Sequence, residues 1–516
     1  MFKRTVSLLT LVLLLGTMLA ACGGGTATAP TASTAPTAAP AATAAATADT
    51  TEPTAAAPAA TEAPTAAADE PTPAPTNTPV AVDTFDAAAA GNRTVVKWYV
   101  GLGTGGQPNQ IEVERAVVEE FNNSQDKIYV ALQIVDNTVA YNTLATQIAA
   151  GNVPDVVGPV GTAGRNGFAG QFLDIGPLIE KNGVDVSVYD EALVKSLNYP
   201  DQGQIGLPFA VFPSFIYYNK DLFDEAGLPY PPQKFGEQYE GKEWNMDALR
   251  ELGMKLTVDE NGNDATSADF DPEKIVQFGF EPQWGTDPRA VATMFGADSL
   301  IKDGKAQIPA NWLAGWKWFY NGMFTDHFIP SDAYRNSDLL GNGNTFNTGK
   351  VAMAYTHLWY TCCIDAVSKD GKVKNWDIAV VPSYEGKTTA KLHGDTFVIM
   401  KATKNPDAAF EFYRYLLSNE KLLEVYGALP AIKTEQEAFF KTLDEKFAPV
   451  KVNWSVATES LSYPDVPNHE EDLPNFLKAK DAITAFGTLM RSKPGLDIDA
   501  ETKKFQDQMQ LIFDEK

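Results

Sequence analysis

Gly101-Leu102-Gly103-Thr104-Gly105-Gly106 matches G-x-G-x-x-G, the pattern that lets a backbone approach a dinucleotide pyrophosphate. The acid that should follow about 20 residues on is missing, since the next strand-end acid, Asp136, lies 30 residues beyond Gly106. The loop, with Gly103 inside it, is therefore expected to aim backbone N–H groups at a polar ligand from a helix N-terminus. No cofactor is expected. Cys362-Cys363 are neighbours that either close a vicinal disulfide or remain two thiols, and 3 cysteines allow neither a disulfide scaffold nor a four-cysteine zinc site. Asp259, Asn261, Asn263 and Asp264 cluster like a calcium loop without its glycine and terminal glutamate, so they read as a polar turn. The 4 histidines form no H-E-x-x-H, and no G-x-S-x-G occurs, so neither a metal site nor a catalytic residue is expected. Carboxylate pairs suited to glycoside hydrolysis arise in any chain with 66 acids, which leaves an exported enzyme as an alternative.

The elements that must position the glycine loop are legible on both sides of it. Thr94–Val100 reads as a strand, and the helix after the loop carries Asn109-x-x-Glu112, which resembles a capping box. Val113, Val117 and Phe121 give that helix one apolar face. A strand from Ile128 to Val135 follows, then a helix on Tyr141, Leu144 and Ile148 that stops at Gly151, then the strand Asp155-Val156-Val157. This alternation predicts a parallel α/β sheet, whose ligands sit beyond the carboxyl ends of the strands. The loops 101–107 and 158–166 are thus candidate walls of a site. Trp312, Trp316, Phe319 and Tyr320 form a core stripe, as do Phe410, Tyr413 and Leu417 in a helix begun by Asn405 and Pro406.

Composition divides the 516 residues unevenly. Lys3 and Arg4 precede the apolar stretch Val6–Leu19, too short to span a bilayer and suited to a signal peptide over 1–21. It ends in Leu19-Ala20-Ala21-Cys22-Gly23, which resembles the lipobox of bacterial lipoproteins. The resemblance implies a lipidated Cys22 that anchors an exported protein to the outer face of the cell membrane. Residues 22–91 are mostly Ala, Thr and Pro, with 10 of the 33 prolines, and are expected to form a disordered stalk. The remaining body, 92–516, is long enough for two lobes. It keeps most of the net charge of −25, which argues against a nucleic-acid partner.

Ala150-Gly151-Asn152-Val153-Pro154-Asp155-Val156-Val157 resembles a segment of the extracellular solute-binding proteins of family 1, the sugar-type receptors of ABC importers. Leu207-Pro208-Phe209, Tyr217-Tyr218-Asn219-Lys220-Asp221-Leu222-Phe223 and Gly349-Lys350-Val351-Ala352-Met353-Ala354 are similar to later stations, in the same order. The resemblance implies an α/β, two-lobed type II clamp of the maltose-binding-protein kind, without catalysis. It also implies a carbohydrate ligand, ABC permease subunits as partners and a monomeric receptor. Lobe 1 would be 92–210 plus 395–452 and lobe 2 would be 215–392 plus 458–516, with crossings near Ala210–Ser214, His393–Thr396 and Ala448–Ala457. Trp359 falls where the family places a stacking aromatic, and Glu281 and Trp284 fall in a stretch that reaches the cleft. Asp395, Phe212 and Ser214 fall at crossings, and Thr162 and Arg165 in the loop after the third strand. Phe212 stands where the family's maltose receptor has an acid, so maltose itself does not carry over. A polyamine, peptide or phosphorylated polyol stays open as cargo.

Overall fold

The computed structural model describes residues 82–515 apart from Pro200, Gly285 and Thr286. The signal segment, Cys22 and the stalk as far as residue 81 lie outside the described residues. The end of the expected stalk is a correction. Val82 and Asp83 pair with Ile134 and Gln133, and Phe85 packs 6.4 Å from Tyr129, so the folded body begins about ten residues before residue 92.

One mixed sheet holds eleven strands among the described residues: β1 (Val82–Asp83), β2 (Thr94–Val100), β3 (Ile128–Ile134), β4 (Val156–Val160), β5 (Ala210–Asn219), β6 (Val258–Asp259), β7 (Ile275–Glu281), β8 (Val351–His357), β9 (Trp376–Ala379), β10 (Leu392–Ile399) and β11 (Leu429–Pro430). Their order is β1-β3-β2-β4-β10-β5-β8-β7-β6, with β9 and β11 also on β5. β2 pairs in parallel with both β3 and β4, as the strand–helix alternation predicts. The intervening helices are α1 (Pro108–Ser124) and α2 (Ala140–Ala149), and a short α3 (Thr162–Gly167) follows β4.

β5 and β10 join the two halves of this mixed α/β, two-lobe fold. Ala210–Pro213 of β5 pair with β10, whereas Ser214–Tyr218 pair with β8. β10 changes partners likewise, from β5 over Leu392–Asp395 to β4 over Thr396–Ile399. One core gathers Trp98, Phe121, Phe209, Phe397 and Phe412, and another gathers Tyr217, Phe280, Phe328, Met353 and Trp376. Large side chains of this kind stabilise by ~1.5–3 kcal/mol each on full burial.

Further helices cover both halves. Trp312 and Trp316 of α4 (Ala310–Phe324) are buried with α7 (Phe476–Ser492) and α8 (Ile498–Asp514), where Phe486 stacks 4.5 Å from Phe505. α5 (Pro406–Leu417) covers the first core through Phe410 and Tyr413. α6 (Gln436–Phe447) departs from the expected lobe boundary at 452. Its stripe Phe439, Leu443 and Phe447 enters the second core, with Phe447 5.0 Å from Trp376. Among the described residues no helix is long and apolar enough to cross a membrane.

Candidate ligand cleft

A cavity of about 460 Å³ lies where the halves meet, within the roughly 300–1,000 Å³ common for small-molecule sites. The loop after β2 supplies Leu102, Gly103, Thr104 and Gly106 to its wall, α1 supplies Gln110, and the stretch after β3 supplies Asn137 and Tyr141. Phe212, His393 and Asp395 come from the crossing strands, and Trp284, Trp359, Cys362 and Cys363 from the second half. Both candidate loops, 101–107 and 158–166, contribute.

The glycine loop is built for packing. Gly105 has φ +95°, and a Cβ there would lie 2.1 Å from Val100 Cγ1 and 2.5 Å from Glu114 Oε1. α1 starts two residues earlier than a cap at Asn109 would set it, at Pro108 after Gln107, and Gln110 rather than Glu112 reaches back to its start. Gln110 Oε1 accepts the N–H groups of Gly105 and Gln107 at 3.0 and 3.2 Å. Those two donors are therefore spent inside the loop and not turned to a polar ligand as expected, and Gln110 itself becomes part of the wall.

Trp359 is half-buried against the ring of His357, with centroids 4.0 Å apart, and 5.6 Å from Phe212. Both ring nitrogens of the buried His357 lack a hydrogen-bond partner, and burial holds its pKa well below the usual value. It is thus a neutral prop for the indole. Trp284 has φ +56° and is 43% exposed, with Nε1 donating to Gly343 O at 3.0 Å. A bulky residue held at positive φ is strained, and such strain collects at binding sites. Beside Trp359, Cys362 and Cys363 are joined as a vicinal disulfide and line the cavity.

The polar floor is charged. His393 Nδ1 lies 3.5 Å from Glu470 Oε2, which also accepts the Ala163 N–H at 3.1 Å. Burial opposes the charge on Glu470, yet His393, His469 and Arg289 outweigh it and hold the carboxyl far below its usual range. Burial pushes Asp395 up to about 6, against the pull of His393 and Arg165.

Four expected site residues fall outside the cavity. Glu281 is fully buried, its two oxygens taken by Arg335 Nε and Nη2 at 2.6 and 3.1 Å, because β7 turns it inward away from Trp284. Ser214 is buried with Oγ 3.4 Å from the Tyr355 hydroxyl and does not line the cavity. Arg165 fastens α3 to β10 through Gly394 O at 2.9 Å and also bonds the Thr162 hydroxyl at 3.0 Å, so both residues line a separate pocket behind the crossing. Sequence reasoning missed Gln110, Asn137, Tyr141, Tyr426 and Glu470 as wall residues. Asn137 was findable from its place just past a strand's carboxyl end, but Glu470 carried no local signal.

Residues 107–421 match the family described as bacterial extracellular solute-binding protein, and the chain belongs to that family. A maltooligosaccharide ABC transporter solute-binding lipoprotein of Streptococcus pneumoniae serotype 4 is 25% identical over 344 residues, 63% of this chain and 70% of its own. A binding protein of Brucella abortus is 23% identical over 369 residues, 67% of this chain and 82% of its own. An ABC substrate-binding protein of Listeria monocytogenes, solved in complex with cycloalternan, shares the fold with TM-score 0.63 at 20% identity, over 81% of this chain and 98% of that one. The relatives are solute-binding proteins rather than enzymes.

Proposed function

We propose that this protein captures a sugar or oligosaccharide between its lobes and delivers it to the permease of an ABC importer, without catalysis. The observation that carries this is the cavity itself, where Trp284, Trp359 and Phe212 stand beside Gln110, Asn137, Asp395 and Glu470. Aromatic faces can stack on sugar rings while amides and carboxylates take the rim hydroxyls. Lobe 1 is proposed as about 82–210 plus 395–432 and lobe 2 as the rest of the body, joined through β5 and β10. The receptor is proposed to act as a monomer, exported and held at the outer face of the cell membrane by a lipidated Cys22.

A polyamine cargo is the second reading, favoured by two carboxylates beside two indoles, which together suit a cation. A thermal-shift panel of oligosaccharides, polyamines, peptides and phosphorylated polyols tests both. A ligand at 100 times its Kd adds ~2.7 kcal/mol of stability. We expect an oligosaccharide to raise Tm the most. A rise with polyamines alone would replace the sugar reading, and release of cleaved product would replace the receptor reading with the enzyme one.

A further inference from the structure

We infer that the floor of the cleft is a divalent transition-metal site built from His393, His469 and Glu470. One donor atom of each lies within 4.8 Å of the other two. In a tetrahedral site with bonds of ~2.0–2.1 Å, neighbouring donors stand about 3.3 Å apart, so side-chain shifts of about 1 Å close the set. Two imidazoles with a carboxylate suit zinc or a similar ion, whereas calcium and magnesium favour all-oxygen sets.

What lifts this trio above a chance cluster is the support behind it. Asp465 Oδ2 lies 2.7 Å from His469 Nδ1 and accepts the His469 backbone N–H at 2.9 Å. A carboxylate on one ring nitrogen orients the imidazole, keeps the proton on Nδ1 and presents the Nε2 lone pair, the usual outer-shell partner of a metal-bound histidine. Both side chains are almost fully buried, and Asp465 is itself fixed by the Leu392 N–H at 2.8 Å. Glu470 is aimed by the Ala163 N–H at 3.1 Å. Because His393 and Glu470 line the cavity, the ion's open position would face whatever enters it. No spacing motif advertises the site, since its donors lie 76 and 77 residues apart in the chain.

The test needs no cargo, so its outcome is separate from that of the receptor reading. Full-length protein stripped with chelator is titrated with Co²⁺ alone and then with Zn²⁺ alone. The expected result is one ion per chain, visible Co²⁺ absorption from a four- or five-coordinate site, and two imidazoles in the zinc X-ray absorption spectrum. His393→Gln and Glu470→Gln should each weaken Zn²⁺ binding by tenfold or more, and Asp465→Asn by roughly 10–100-fold. Circular dichroism checks that each variant folds. Where one does not, the imidazole count of the natural protein decides. No stoichiometric binding, a count other than two, or unchanged affinity in folded His393→Gln and Glu470→Gln would overturn the assignment.

Discussion

Trp359 illustrates how much a single residue owes to its neighbours. Its indole is propped by neutral His357 and flanked by Phe212, so one face is pre-set before any ligand arrives. Trp359→Ala should weaken oligosaccharide binding by roughly 10–100-fold, at about 1.4 kcal/mol per decade, with Tm of the free protein changed far less than affinity. Calorimetry on both proteins checks it. The disulfide between Cys362 and Cys363 adds a second apolar, polarisable patch to the same wall. The double variant Cys362→Ser, Cys363→Ser should bind the same ligand several-fold more weakly, and reductant should weaken the natural protein but not the variant. Equal affinity in all three states would remove the sulfurs from the ligand's path. At this scale the sequence was only partly legible. Trp359, Trp284, Phe212, Asp395 and Gly103 line the cavity, while Glu281 and Ser214 are held in the interior beside Arg335 and Tyr355, partners that no local spacing announces.

The element that shapes the cleft most is the turn from β2 into α1. Beneath it Glu114 is fully buried, with Oε1 accepting the Tyr426 hydroxyl at 2.6 Å and Oε2 unpartnered. Burial pushes its pKa up to about 8, with the Tyr426 bond opposing. The folded protein therefore favours the neutral acid. The stability this contributes is fully present below the ordinary carboxylate pKa and is lost as pH rises through about 8. Glu114→Gln mimics the neutral form, so it should match the natural protein near pH 5 and exceed it near pH 8.5 by on the order of 2 kcal/mol. Denaturant melts at the two pH values measure this, and an equal difference at both would contradict it. Gly105→Ala should destabilise at any pH, because its Cβ would collide with Val100 and the positive φ would be strained. The strand–helix–strand order was readable here because its apolar spacing is local. The buried acid was not, since Val113, Val117 and Phe121 set the helix face and Glu114 meets Tyr426 only in the folded chain.

For the whole molecule, the decisive feature is that only a few strands connect the lobes while the cavity draws walls from both. β5 and β10 each change partners midway, at Pro213/Ser214 and Asp395/Thr396, which is where a hinge would bend with least loss of pairing. A ligand touching both walls stabilises the closed form by its differential affinity for that form. Collinear motifs made this architecture legible from sequence. The placing of α6 was not, because an apolar stripe of Phe439, Leu443 and Phe447 marks a buried face without naming the core that buries it. Small-angle X-ray scattering of the full-length protein, empty and saturated with the best oligosaccharide from the thermal-shift panel, tests the clamp most directly. Residues 1–81 are common to both samples, so the difference comes from the body. The radius of gyration should fall on saturation, and a radius unchanged at full occupancy would contradict closure of two lobes on the ligand.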